Sequence, residues 1–268
     1  MGLHQFGHVA LRKAAWTALV VAGRDMTDLV AGRPCLVLAP HPDDETLGCA
    51  ATIMCKREAG TEVTVAIVTD GRHGSDYLPA DELAHIRREE VAGACRILGV
   101  PQESLIWMGL EDGTLAGDDL RLDHLVSDLV ERFDPSEVLT TSVSDPHPDH
   151  AALGRAVRRS LAGRPDIELY EFPVWQWNEP RRWISGWPGA RVTSVRWALP
   201  RRPALVRTSH YLERKVLALS MYRSQLHPSL EETAGGRCFG LLEWSFLANF
   251  FQNYEVFLPV ASVGHTAT

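Results

Sequence analysis

The feature that most constrains this chain is a repeated unit, a short apolar run that empties into a polar loop and is followed by a helical stretch. It occurs first at Cys35-Leu36-Val37-Leu38-Ala39, a continuous apolar run that reads as a buried strand opening into Pro40-His41-Pro42-Asp43-Asp44-Glu45. Residues 46–59 are rich in small and apolar residues and stop at Gly60, as a helix closed by a C-terminal glycine does. The β-branched run at residues 63–69 follows and opens into Asp70-Gly71-Arg72-His73-Gly74-Ser75. The unit continues with a helix over residues 82–98, a strand at 105–108, an amphipathic helix over 120–133, a strand at 137–141, the loop 142–149 and a helix to about 161. Strands alternating with helices predict an α/β chain of Rossmann-like, three-layer form, with a mostly parallel sheet and right-handed crossovers. Such sheets place their chemistry beyond the carboxyl ends of the strands.

The pattern changes near residue 165. Residues 168–174 read as a further strand, and five of the eight tryptophans (Trp175, Trp177, Trp183, Trp187 and Trp197) crowd the segment after it. Helical periodicity returns at residues 210–224 and 241–251. There is no linker composition and no internal repeat, so residues 1–268 read as one unit: an α/β core over about 33–165 and an irregular, Trp-rich C-terminal elaboration over about 166–268. The elaboration is the expected seat of substrate specificity.

Composition excludes several function classes. A net charge of -7 argues against a nucleic-acid partner, which requires a basic excess. Five cysteines, odd in number and without a paired pattern, argue against a disulfide scaffold and fit a reducing cytoplasm. The apolar stretch 14–23 is interrupted by Trp16 and Thr17 and lacks a clear cleavage site, and no uncharged apolar run reaches the length of a membrane span. No Walker loop, dinucleotide fingerprint, nucleophile elbow or H-E-x-x-H occurs.

Two loops concentrate the groups that bind metals or move protons: His41-Pro42-Asp43-Asp44-Glu45 and His147-Pro148-Asp149-His150. Imidazole and carboxylate are good ligands for Zn²⁺, and a catalytic zinc takes three protein ligands and leaves a position for water. Either loop alone could be a capping turn, because a carboxylate satisfies the open amides at a helix start. Two such loops after predicted strands, one with three successive carboxylates and no basic neighbour, are better explained by a cation, since like charges repel. Spacing does not decide which groups bind and which catalyse. Hydrolysis of an amide needs an activated water, a base for its proton and a donor facing the oxyanion, and the two loops contain all of these parts.

Together, the two loops resemble the paired signature of the PIG-L/LmbE-like zinc-dependent N-deacetylases. The likeness runs over about residues 33–225 and includes Arg87-Arg88-Glu89-Glu90, Gly109-Leu110-Glu111-Asp112-Gly113 and Tyr222-Arg223-Ser224-Gln225. The resemblance implies that His41, Asp44 and His150 hold Zn²⁺, with Fe²⁺ or another divalent ion also acceptable. It implies that Asp43 is the general base, that His147 stabilises the oxyanion, and that Asp149 orients or tunes His147. It also implies that Arg87 and Asp112 bind substrate, an N-acetylated amino sugar or its conjugate. Pro40 stands where the family often has alanine, which alters the strand exit but not the ligands. Two other readings stay open: a sugar-binding or regulatory module that keeps the loops without catalysis, and a metal phosphoesterase. The latter is disfavoured because only one metal's worth of ligands is evident. His73 reads as a solvated loop histidine, and Tyr222 and Gln225 could be structural.

Overall fold

A computed structural model describes residues 3–75, 78–178, 202–231, 235–236, 238 and 240–261. The alternating unit forms β2 (Cys35–Ala39), α3 (Asp44–Glu58), β3 (Val63–Thr69), α4 (Ala80–Leu98), β4 (Leu105–Leu110), α5 (Asp119–Phe133), β5 (Glu137–Thr141), α6 (Pro148–Ser160) and β6 (Glu168–Phe172). Ahead of it lie α1 (Leu3–Ala22), β1 (Arg24–Asp25) and α2 (Thr27–Val30). Behind it lie β7 (Ala204–Arg207), α7 (Leu212–Leu219), α8 (Trp244–Leu247) and β8 (Tyr254–Pro259).

The eight strands form one sheet in the order β1-β7-β8-β6-β5-β2-β3-β4. All neighbours are parallel except β8, which runs antiparallel to both β6 and β7. The period-two geometry of a strand explains why a run as uniformly apolar as β2 suits a central position. Cys35, Val37 and Ala39 enter one core with Ile53 and Met54 of α3, Val91 and Leu98 of α4 and Ala218 of α7. Leu36 and Leu38 enter the other core with Leu122 and Val126 of α5 and Ala152 and Leu153 of α6. Helices therefore cover both faces.

Three expectations for the C-terminal third need correction. The helix expected over 241–251 is only α8, because Leu242 bridges to Leu226 and its carbonyl accepts from the His227 N–H, holding this backbone out of the helix. Its apolar residues Leu242, Phe246, Leu247 and Phe250 still reach the core, so their spacing reflected burial rather than a continuous helix. The helix expected over 210–224 is the shorter α7, followed by tight turns in which Tyr222 N–H donates to the Leu219 carbonyl and Gln225 N–H to Tyr222. Strands β7 and β8 were missed; they are short and gain their stability by pairing with each other and with β6. Of the Trp-rich segment, Trp175 and Trp177 are described, while Trp183, Trp187 and Trp197 lie outside the described residues.

Strand β2 is flanked by β3 on one side and β5 on the other, so the chain reverses its direction of travel between β2 and β5. That junction is the topological switch point where open α/β sheets hold ligands. Gly154 of α6 sets the height of that helix over β5: a Cβ there would lie 2.7 Å from the Thr141 carbonyl oxygen and 3.0 Å from the Val143 nitrogen. Backbone cannot yield as a side chain can. Gly154→Ala is expected to destabilise the fold by about 1–3 kcal/mol, read by denaturant unfolding; an unchanged midpoint would show that α6 is not seated by this contact.

Candidate active site

The loops after β2 and β5 emerge side by side at the switch point, each feeding directly into a helix. Asp44 opens α3, while Asp43, just before it, has φ 122°, a conformation that side-chain-bearing residues rarely adopt. His147 is the N-cap of α6, and Pro148 takes the first helical position, where its fixed φ and missing N–H are both acceptable. The His147 Nδ1 accepts the Asp149 N–H at 3.3 Å, so its ring proton resides on Nε2. Asp149 and His150 follow in the first turn of α6 and are fully buried.

Three atoms converge. His41 Nδ1 lies 3.1 Å from His150 Nε2 and 3.4 Å from Asp44 Oδ2, and His150 Nε2 lies 3.2 Å from Asp44 Oδ2. Zinc bonds of about 2.0–2.1 Å put neighbouring tetrahedral ligand atoms roughly 3.4 Å apart, so this triangle has the size of one tetrahedral face. Burial alone raises the Asp44 carboxyl pKa, but the adjacent His150 and His41 overcome that and hold it far below the usual carboxylate range. Burial lowers His150 in the same way, and Asp44 with Asp145 outweighs it, pushing the ring up to about 9. These opposed shifts are those of a buried carboxylate–imidazolium pair, each group holding the other charged.

The far nitrogen of His41 is also engaged. His41 Nε2 lies 3.1 Å from Asp112 Oδ1 and 3.3 Å from Asp149 Oδ2. Asp149 is itself fixed by the Gly113 N–H at 2.8 Å and the Leu115 N–H at 3.1 Å. The sequence reading pairs Asp149 with His147. In the structure, the Asp149 carboxylate instead contacts His41, and only its backbone N–H meets His147. The cause is helix geometry: with His147 at the N-cap, the amide of Asp149 faces the cap while its side chain turns toward the 113–115 backbone.

Asp43, His147, Arg87 and Asp112 line the cleft around the triangle, with Val174, Trp175, Leu241, Leu242 and Phe246 forming an apolar side. Burial, and then the negative neighbour Asp44, pushes the Asp43 carboxyl well above its usual range, which strengthens it as a base. Burial, followed by the nearby His41 and His150, lowers His147, favouring the neutral ring. Arg87 is 4% exposed, and its Nε has no hydrogen-bond partner among the described residues. The His73 ring is half-exposed and pairs with Glu111 at 3.1 Å, while its backbone N–H donates to Asp112 at 3.3 Å.

Sequence reasoning left Glu45, Tyr222 and Gln225 without roles. The buried Glu45 accepts hydrogen bonds from Thr46 Oγ1, from the Tyr222 hydroxyl and, at 3.2 Å, from the Asp43 N–H. Gln225 Nε2 donates to the Pro42 carbonyl. A backbone held as Asp43 is costs about 1–3 kcal/mol and persists only where its surroundings over-determine it, and these contacts do so. The signal was present in the third acid of the run and in Tyr222-Arg223-Ser224-Gln225, but nothing local joins positions so far apart. Tyr222→Phe removes one donor to a charged group and is expected to lower kcat about tenfold with KM unchanged. Steady-state kinetics on folded variant would decide, and an unchanged kcat would limit Tyr222 to packing.

The PIG-L family, described as GlcNAc-PI de-N-acetylase, matches residues 36–161. A probable N-acetyl-alpha-D-glucosaminyl L-malate deacetylase 2 of Bacillus cereus is 30% identical over 209 residues, covering 75% of this chain and 87% of that protein. The N,N'-diacetylchitobiose deacetylase of Pyrococcus horikoshii superposes with a TM-score of 0.62 at 21% identity, covering 100% of this chain and 96% of that one. The 4-carboxy-2-hydroxymuconate hydratase GalB of Pseudomonas putida shares the fold with a TM-score of 0.52 at 20% identity, covering 76% of this chain and 83% of that one. The same scaffold thus carries different reactions, and the reaction has to be argued from the site. By the length and identity of the Bacillus match, and by the family signature across both loops, this chain belongs to the PIG-L/LmbE-like deacetylase family.

Proposed function

We propose that this protein is a metal-dependent amide hydrolase that removes an N-acetyl group from an amino sugar or amino-sugar conjugate. The observation that carries the reading is the ligand-sized triangle of His41, Asp44 and His150 with Asp43 beside it in one cleft. Two imidazoles and one carboxylate suit Zn²⁺ with a position left for water, and Fe²⁺ is the alternative occupant. A divalent ion held there would supply Lewis acidity, easing deprotonation of water and polarising the amide carbonyl.

The chain's own groups do the rest. Asp43 takes the proton from the attacking water, and its desolvated carboxylate is a better base than an exposed one. His147, neutral and with its proton on Nε2, donates to the oxygen on which charge develops. The proton taken up by Asp43 then passes to the departing nitrogen as the C–N bond breaks, releasing acetate and a free amino sugar. Asp149 and Asp112 on His41 Nε2 fix that ring's tautomer and raise its strength as a ligand. The guanidinium of Arg87, which lines the cleft, donates hydrogen bonds to substrate hydroxyls, and Asp112, in the same lining, accepts from them.

We also read residues 1–268 as one deacetylase unit, because β1, β7 and β8 extend the sheet that carries the metal loops. Among the described residues no helix is long and apolar enough to cross a membrane. All five cysteines are free and buried, which supports a reducing, cytoplasmic setting.

The test is acetate release from a panel of N-acetylglucosaminides, before and after chelation and after Zn²⁺ is restored. Metal-dependent release supports the reading; binding of the sugars without release favours the inactive module, and phosphate release from phosphorylated sugars favours the phosphoesterase. Arg87→Met is expected to raise KM about 10- to 100-fold, the worth of a hydrogen bond to a charged group, while changing kcat less. A KM that stays put would remove Arg87 from the substrate site.

A further inference from the structure

Helix α3 carries Asp44 at its start, and one turn later two charged side chains from the C-terminal part of the chain meet its backbone. The Leu47 carbonyl accepts from Lys215 Nζ at 2.7 Å, and the Ala51 N–H donates to Glu255 Oε1 at 2.8 Å. Glu255 Oε2 also accepts the Thr52 N–H at 2.9 Å and the Thr52 hydroxyl at 2.7 Å, and Lys215 and Glu255 pair with each other at 2.9 Å. Both charged residues are buried, Lys215 at 0% and Glu255 at 5% exposed. Gly48 lies beside Leu47 in this helix, where an added Cβ would sit 2.3 Å from the Phe172 ring.

We propose that the Lys215–Glu255 pair is a positioning device that grips the backbone of α3 at Leu47, Ala51 and Thr52, so fixing how Asp43 and Asp44 face the His41–His150 pair. The polarity of the pair fits the role. The ammonium meets a backbone carbonyl and the carboxylate meets two backbone N–H groups, so each charge has partners of opposite polarity. Stability alone does not require charges here, since well-packed apolar residues often serve a buried position as well as an ion pair. The upstream turn is thus held from the C-terminal part of the chain at three points, by Lys215 at Leu47, Tyr222 at Glu45 and Gln225 at Pro42.

This role rests on the metal reading of the two loops, so the probe is the ion alone. Wild-type protein and K215M/E255M are titrated with Co²⁺, following its visible ligand-field absorption, in parallel with thermal unfolding. The double variant is expected to bind Co²⁺ about 10- to 100-fold more weakly, as when partners that orient ligands are removed, with an altered spectrum. K215E/E255K restores an ion pair but sets a carboxylate against the Leu47 carbonyl, and it is expected not to restore affinity or spectrum. Wild-type behaviour in either double variant would overturn the proposal. Should neither fold, Glu255→Gln decides: weaker Co²⁺ binding with an altered spectrum supports the proposal, and an unchanged affinity and spectrum overturn it. Failure of the wild-type protein itself to bind Co²⁺ would instead remove the metal reading and this role with it.

Discussion

Asp43→Asn is expected to keep its divalent ion and to lose about 10³-fold in kcat, within the range that general-base catalysis contributes. Asparagine has the same shape and tolerates positive φ better than most residues, so the backbone at 122° should survive the change. It also relieves the repulsion between Asp43 and Asp44, so the change does not weaken the ligand set. What it removes is the acceptor for the water's proton. Acetate release and metal content of the purified variant are the two measurements, and a near-normal rate with metal present would take the base role from Asp43. Asp43→Ala is less informative, because alanine strains the turn as well as removing the carboxylate.

The second large effect concerns the ligand triangle. His150→Ala removes a fully buried ring whose Nε2 is 3.1 Å from His41 Nδ1 and 3.2 Å from Asp44 Oδ2. Two ligand atoms are left where three converged, so metal occupancy and turnover are both expected to fall to background. Stability provides an independent readout. An ion that binds only the folded state stabilises it by about 4 kcal/mol at a thousandfold excess over Kd, so added Zn²⁺ should raise the wild-type Tm and leave that of His150→Ala nearly unchanged. Chelation should abolish wild-type activity reversibly, whereas no excess of Zn²⁺ should restore the variant. An unaltered Zn²⁺-dependent rise in Tm for His150→Ala would place the ion elsewhere.

The legible part of the fold was the part with strong local periodicity. Residues 35–39 are the clearest of the strands read from the sequence, because a run apolar on both faces has no stable place except the middle of a covered sheet. The C-terminal third was less legible. Its strands are short, and their pairing partners β6, β7 and β8 are far apart in the chain, so composition carries little of their signal. Leu242, Phe246, Leu247 and Phe250 have helix-like spacing but are spread over a bridge, a single helical turn and a loop.

The site divides in the same way. The sequence by itself determined the chemical inventory, because His41, Asp43 and Asp44 lie within one loop, and His147, Asp149 and His150 within another. Short loops after strands keep such groups together whatever surrounds them. Which atoms converge follows from the tertiary structure: His41 turns Nδ1 to the triangle and Nε2 to Asp149 and Asp112, and the Asp149 carboxylate contacts His41 while its backbone N–H meets His147. It alone joined Tyr222, Gln225 and the Lys215–Glu255 pair to a turn more than 160 residues earlier. The physical reason is that ligand identity is a local property of residue type, whereas ligand direction depends on the strand order that sets β2 beside β5 and on the buried partners that hold an otherwise unfavourable backbone in place.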